Sequence, residues 1–70
     1  MVRDLKIQRV MQHLRLCNVP FTAKHGGIIT TSVAVMEFRD SEVRLIRRGL
    51  AARQFCYNKL NIDRLIEMVK

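Results

Sequence analysis

Residues 28–38 of this 70-residue chain form a run in which nearly every side chain is apolar or β-branched. Such a run has to be buried, so it restricts the fold more than any other segment does. It can be one buried strand. Alternatively, its first two residues form a short strand, Thr30 or Thr31 caps a helix, and residues 31–37 form that helix. Periodicity alone does not choose between them, and we favour the split interpretation.

Both ends of the chain carry apolar residues at helical spacing. The stripe over residues 5–17 predicts an amphipathic helix, which Asn18 and Pro20 end because proline disfavours helical geometry just before it. A second stripe over residues 62–69 predicts a C-terminal helix. The segment between them that we expect to be flexible is residues 18–27, with a turn at its two glycines.

A further helix is predicted over residues 41–48. Ser41 or the aspartate before it can cap this helix, and acidic and basic residues lie in its first and last turns, as the helix dipole favours. Gly49 ends the helix, because glycine readily adopts the left-handed conformation found at many helix ends. Residues 50–55 and 57–61 are then predicted to form two short strands around a tight connection.

Positive charge is the main functional signal. The chain has 13 Lys and Arg against 6 Asp and Glu, a net charge of +7. These bases are spread through the predicted helices and strands instead of forming a tail. Because the arginine fork matches phosphates and guanine edges, this charge favours a polyanionic partner. We therefore expect duplex DNA as the partner, with RNA or an acidic protein as alternatives.

Several classes of protein fit the sequence poorly. No apolar stretch approaches the roughly 20 residues of a membrane-spanning helix, and no signal-peptide pattern opens the chain, so we expect a soluble, cytoplasmic protein without a membrane partner. Cys17 and Cys56 match neither a zinc motif nor a disulfide framework, so we expect no metal and no cofactor. Glycine-rich phosphate loops, nucleophile motifs and a full set of metal-binding carboxylates are lacking, so we do not expect an enzyme.

The predicted elements follow the order helix, β-bridge, helix, turn, helix and two strands. In this order, residues 29–61, ITTSVAVMEFRDSEVRLIRRGLAARQFCYNKLN, resemble a winged helix-turn-helix domain. In that family a Thr- or Ser-capped short helix leads through a tight turn into a recognition helix, and a Gly-Leu pair begins the wing. Those places are occupied here by Thr30 and Thr31, residues 39–41, residues 43–48, and Gly49 with Leu50.

The resemblance implies one nucleic-acid-binding domain over residues 1–70. Its fold would be α+β and mostly helical, with three helices, a short β-bridge, a two-stranded wing and a C-terminal helix. The alternative architecture is a helix plus a small antiparallel sheet with two helices. A second alignment places residues 52–65, ARQFCYNKLNIDRL, on the two helices of a simple helix-turn-helix. Both alignments predict DNA binding by an arginine-bearing helix.

Helical geometry predicts which side chains face the DNA. If Val43 and Ile46 point inward, the opposite side of the helix carries Ser41, Arg44, Leu45 and Arg48. Arg44 and Arg48 then project together and can donate paired hydrogen bonds to guanine in the major groove, while Ser41 touches a base or phosphate. The other expected DNA contacts, mainly to phosphates, are Thr31, Arg39, Arg47, Arg53 and Lys59.

Two expectations concern apolar side chains. Phe55 and Tyr57 can stack on bases, although core packing explains them more simply. The two terminal stripes offer more apolar surface than a small fold needs to cover, so we expect a homodimer formed through the terminal helices.

Short basic single domains are common among phage and mobile-element regulators. We therefore expect this protein to be a transcription regulator.

Overall fold

A computed structural model describes residues 2–70 and contains two helices and one antiparallel sheet of five strands. The elements in chain order are α1 (Val2–Leu16), β1 (Thr22–Lys24), β2 (Ile28–Thr30), β3 (Ala34–Phe38), β4 (Glu42–Arg47), β5 (Arg53–Cys56), a 3-10 turn (Tyr57–Lys59) and α2 (Ile62–Val69). The strands follow one another across the sheet in the order β1-β2-β3-β4-β5, each antiparallel to the next. The prediction of a mostly helical winged helix-turn-helix domain is therefore wrong.

Residues 41–48, predicted to be the recognition helix, form strand β4 instead. The segment Glu42–Arg47 alternates outward and inward side chains, with Val43 and Leu45 fully buried and Ile46 on the other face. This alternation has the period of a strand. Gly49 does adopt a positive φ of 76°, but it does so in the turn between β4 and β5 and not at a helix end.

The apolar run over residues 28–38 folds as a hairpin, so neither sequence interpretation is correct. β2 and β3 are joined by a tight turn in which the Thr31 amide donates to the Ala34 carbonyl. The Thr31 hydroxyl accepts a hydrogen bond from the Val33 amide at 3.3 Å. This side-chain bond stabilises a turn in the way that a Thr cap stabilises a helix start, which explains why the sequence suggested a helix here.

The predictions for the two terminal helices are confirmed, with slightly different bounds. Asn18, just beyond α1, has a positive φ of 56°, and the Asn61 side chain caps α2 by accepting from the Arg64 amide at 3.2 Å. The segment expected to be flexible contains strand β1, and the second predicted wing strand is the 3-10 turn. Residues 52–65 therefore contain only one of the two helices that a simple helix-turn-helix needs.

Both helices pack on one face of the sheet and contact each other. Their fully buried residues meet the inward side chains of β2, β3 and β4 in a single core, formed by Val10, Leu14, Ile29, Ala34, Met36, Phe38, Val43, Leu45, Tyr57, Leu65, Ile66 and Val69. Much of the two apolar stripes, including Val10, Leu14, Leu65 and Ile66, is therefore buried within the monomer, whereas Leu5 of the first stripe stays exposed. The homodimer through the terminal helices stays a prediction.

The opposite sheet face, which we call the open face, is covered by neither helix. Its central row is Thr22, Thr30, Val35 and Ile46, paired in register across four strands. A second row contains the charged pair of Glu37 and Arg44. One side of the sheet therefore forms the core, and the other remains a mixed polar and apolar surface.

Gly27 is predicted to be much less tolerant of substitution than Gly26, although both have a positive φ. A Cβ atom at Gly27 would lie 2.6 Å from Arg3 Nη2 and 3.0 Å from the Phe38 carbonyl oxygen, whereas one at Gly26 would meet nothing within 4 Å. Gly26→Ala should cost about 1–2 kcal/mol for the left-handed backbone. Gly27→Ala should cost about 1 kcal/mol more, because the Phe38 carbonyl belongs to the backbone of β3 and cannot turn aside as the end of the Arg3 side chain can. Urea denaturation of both variants measures the difference, and equal losses would contradict the prediction.

Candidate nucleic-acid interface

Three basic side chains meet at one end of the molecule, where β5 leads into α2. Arg53 comes from β5, Lys59 from the 3-10 turn and Arg64 from the first turns of α2, and all three line one cleft. The tight 3-10 turn brings them together, since the Leu60 amide donates back to the Tyr57 carbonyl at 3.3 Å. No carboxylate is among the eight residues that line this cleft.

Tyr57 fixes the position of this junction. Its amide donates to the Ser41 carbonyl, its hydroxyl donates to the Arg39 carbonyl, and its ring stacks against Phe38. Burial raises the pKa of the Tyr57 hydroxyl, partly opposed by the nearby Arg3 charge. Tyr57 is therefore a core residue that ties the 3-10 turn to the loop between β3 and β4, and it does not face solvent as a base-stacking ring would.

The cleft has an apolar floor beneath its charged rim. Phe55, Leu60, Leu65 and Met68 form this floor, and the cleft volume is about 110 Å³. The Arg53 guanidinium lies over the Phe55 ring, with its central carbon 5.1 Å from the ring centroid. This cation–π contact holds an otherwise exposed guanidinium in a defined place.

A second, wider depression of about 400 Å³ adjoins the cleft on the α1 side. Lys6, Arg9 and His13 line it, and they lie on one side of α1 because their spacing of three and four residues matches the helical repeat. Leu60 and Asn61 line both depressions and separate them.

We call the two depressions together the basic surface, with Lys6, Arg9, Arg53, Lys59 and Arg64 as its permanent cations. Asp63 is the one acidic residue that lines it, and its carboxylate lies 3.6 Å from His13 Nδ1. That pair is ionic only when the imidazole is protonated. The five cations outnumber the single carboxylate among the lining residues. The electrostatic potential over the basic surface is therefore strongly positive.

The structure separates the two arginines predicted to read guanine. Arg44 lies half-buried on the open face, between Glu37 and Gln54 of the neighbouring strands, and Arg48 lies in the turn after β4. On a strand, residues four apart are about 13 Å apart, whereas on a helix they are about 6 Å apart. Paired readout of one groove by a helix bearing Arg44 and Arg48 is therefore excluded.

The other predicted contact residues also divide between distant places. Thr31 donates through its hydroxyl to the Val69 carbonyl at 3.3 Å and so holds the end of α2. Arg39 forms a 3.9 Å ion pair with Glu37, and Ser41 lies in an exposed bend. Arg47 ends β4 in register with Ala34. None of these four residues lines the basic surface.

Of the predicted site residues, Arg53 and Lys59 do lie on the basic surface, whereas Lys6, Arg9 and Arg64 were missed. The signal for the first two of these was present, because Lys6, Arg9 and His13 share one side of a predicted helix. Arg64 gave no such signal. The position of Arg64 beside Arg53 depends on how α2 packs against β5. No local sequence pattern predicts that packing.

Neither a metal centre nor a membrane-spanning helix is found within residues 2–70. No group of three His, Cys, Asp or Glu residues in this part of the chain could hold a metal ion. Cys17 and Cys56 are exposed free thiols. Neither of the two helices is long and apolar enough to cross a membrane.

Comparison with protein-family models, with curated proteins and with solved structures gives no match for this chain.

Proposed function

We propose that this protein binds nucleic acid by holding the phosphate backbone against the basic surface. The observation that carries the proposal is the convergence of five Lys and Arg side chains, from α1, β5, the 3-10 turn and α2, on adjoining depressions lined by one carboxylate. A concave surface lined mainly by one sign of charge raises the local concentration of a ligand of the opposite sign.

Phosphate binding explains this arrangement physically. Each Lys or Arg that neutralises a phosphate releases a condensed counterion, and this release drives binding that depends little on sequence. Arg53 and Arg64 can each present a guanidinium fork to phosphate oxygens. Helix α2 buries Leu65, Ile66 and Val69 in the core and contributes Arg64 to the basic surface.

The proposal covers both DNA and RNA, because phosphate contacts are common to the two. Control of transcription, as predicted from the sequence, would require selective binding that these contacts do not supply. It stays a prediction. That the protein is not an enzyme likewise stays a prediction.

Binding should weaken steeply with salt. Fluorescence-anisotropy titrations with a duplex DNA, a duplex RNA and a single strand should give a slope of log K against log salt concentration of about −3.5 to −4.5, if all five cations contact phosphates. A slope near zero would contradict phosphate binding. Failure to bind any of the three probes at about 0.05 M salt would overturn the proposal and favour an acidic protein partner.

A further inference from the structure

The cleft between β5 and α2 differs from the rest of the basic surface because it has an apolar floor. Its neighbour along α1 is lined mainly by charged and polar side chains. In the cleft, by contrast, Phe55, Leu60 and Met68 are only partly buried and remain available to a ligand. A phosphate alone gains nothing from such a floor, since its oxygens are satisfied by cations and water.

The size of the cleft restricts the ligand. Its volume of about 110 Å³ is below the roughly 300–1,000 Å³ of pockets that enclose whole drug-sized molecules or cofactors. One planar ring is a better match to this volume than a complete dinucleotide or a bulky metabolite. The ligand should therefore be one apolar or aromatic group attached to something anionic.

Arg53 supplies a flat surface at the mouth of the cleft. The central carbon of its guanidinium lies over the Phe55 ring, 5.1 Å from the ring centroid, while Arg53 itself is exposed. Arginine planes and aromatic rings are the side chains on which proteins stack unpaired bases. Lys59 and Arg64 stand on the same rim, where they can bind the phosphates on either side of such a base.

From this arrangement we infer that the cleft takes a single unpaired base of a single-stranded nucleic acid, stacked on the guanidinium of Arg53, while Lys59 and Arg64 bind the flanking phosphates. This inference rests on the proposed function and narrows its substrate from nucleic acid in general to single strands. In a duplex each base is already stacked and paired, so it cannot enter the cleft without being flipped out.

Charge alone predicts the opposite preference. Duplex DNA has the higher charge density, and counterion release gives a steeper slope for it than for single strands. Tighter binding to a single strand would therefore have to come from contacts to bases. A strand of abasic sugar-phosphates with the same number of phosphates isolates this contribution.

The test compares an oligothymidylate of about 12 nucleotides with an abasic strand of equal length and with a duplex. One stacked base should make the oligothymidylate bind about 5- to 150-fold more tightly than the abasic strand. Arg53→Lys keeps the charge but loses the planar stacking surface, so it should reduce this ratio by about fivefold or more and leave the salt slope unchanged.

Arg15→Lys is the matched control, because the Arg15 guanidinium lies 5.4 Å from the centroid of the Phe21 ring, outside the cleft. It should leave the ratio unchanged.

A second pair of variants, Phe55→Leu and its control Phe21→Leu, tests the same contact from the side of the ring. Circular dichroism checks that both variants fold. Equal binding of oligothymidylate and abasic strand, or equal ratios for Arg53→Lys and Arg15→Lys, would overturn the inference while leaving phosphate binding standing. No binding to any strand would overturn the proposed function itself.

Discussion

Leu45→Ala should lower the free energy of unfolding by about 2–5 kcal/mol, while Ile46→Ala should cost only about 1 kcal/mol. In β4 the Leu45 side chain is buried in the core, and Ile46 lies half-buried on the open face. The loss at Leu45 is comparable with the whole stability expected of a domain this small, about 4–10 kcal/mol. Urea denaturation followed by circular dichroism measures both variants.

This pair of variants distinguishes the observed strand from the helix predicted over residues 41–48. In that helix Ile46 points inward and Leu45 points outward, so the larger loss would fall on Ile46→Ala. An unfolded Leu45→Ala protein beside a folded Ile46→Ala protein agrees with the strand. The reverse order would contradict it.

Neutralising Arg53 and Arg64 together should weaken binding to duplex DNA about 100-fold at about 0.1 M salt. Each phosphate contact contributes close to one unit to the slope of log K against log salt concentration, which is roughly tenfold in affinity between 1 M and 0.1 M salt. The double variant Arg53→Gln/Arg64→Gln should therefore also flatten the slope by about two.

The matched control is Arg44→Gln/Arg48→Gln, which removes the same net charge from the open face and the β4–β5 turn, at residues that do not line the basic surface. Its affinity should change only by the small, long-range effect of net charge, which salt screens. Equal losses in the two double variants would indicate diffuse charge binding without a defined site. A larger loss in the control would place the interface at Arg44 and Arg48, the two arginines that the sequence predicted to read DNA.

The terminal helices were predictable because a local pattern and a local cap signal coincide there. The stripe over residues 62–69 has helical spacing, and Asn61 caps it. Residues 41–48 misled because EVRLIR fits both a helical and an alternating pattern, while its flanking Ser41 and Gly49 suit helix ends and tight turns alike. Pairing with β3 and β5 decides between these, and pairing is a long-range property.

The sequence predicted fewer strands than the five of the sheet, for a related reason. β1 has only three residues, all exposed, so it carries no apolar signal at all. It is a strand because the turn at Gly26 and Gly27 folds it back onto β2. Short edge strands of this kind are defined by hydrogen bonds to a neighbour and not by their own composition.

The candidate site was also predictable only in part, because some of its features depend on long-range packing. Net charge predicted a polyanionic partner, and Arg53 and Lys59, which the sequence predicted as phosphate contacts, do lie on the basic surface. The grouping of these two with Lys6, Arg9 and Arg64 could not be predicted, because it requires the packing of α1 and α2 against one face of the sheet.

The central claim is that nucleic acid contacts the basic surface, and an NMR titration of the ¹⁵N-labelled protein with oligothymidylate tests it most directly. Amide shift changes should concentrate around Lys6, Arg9 and residues 53–64, and should be small on the open face around Val35 and Arg44. Saturable changes confined to the first group are the predicted result. Changes centred on the open face, or on the turn at Arg48, would contradict the account.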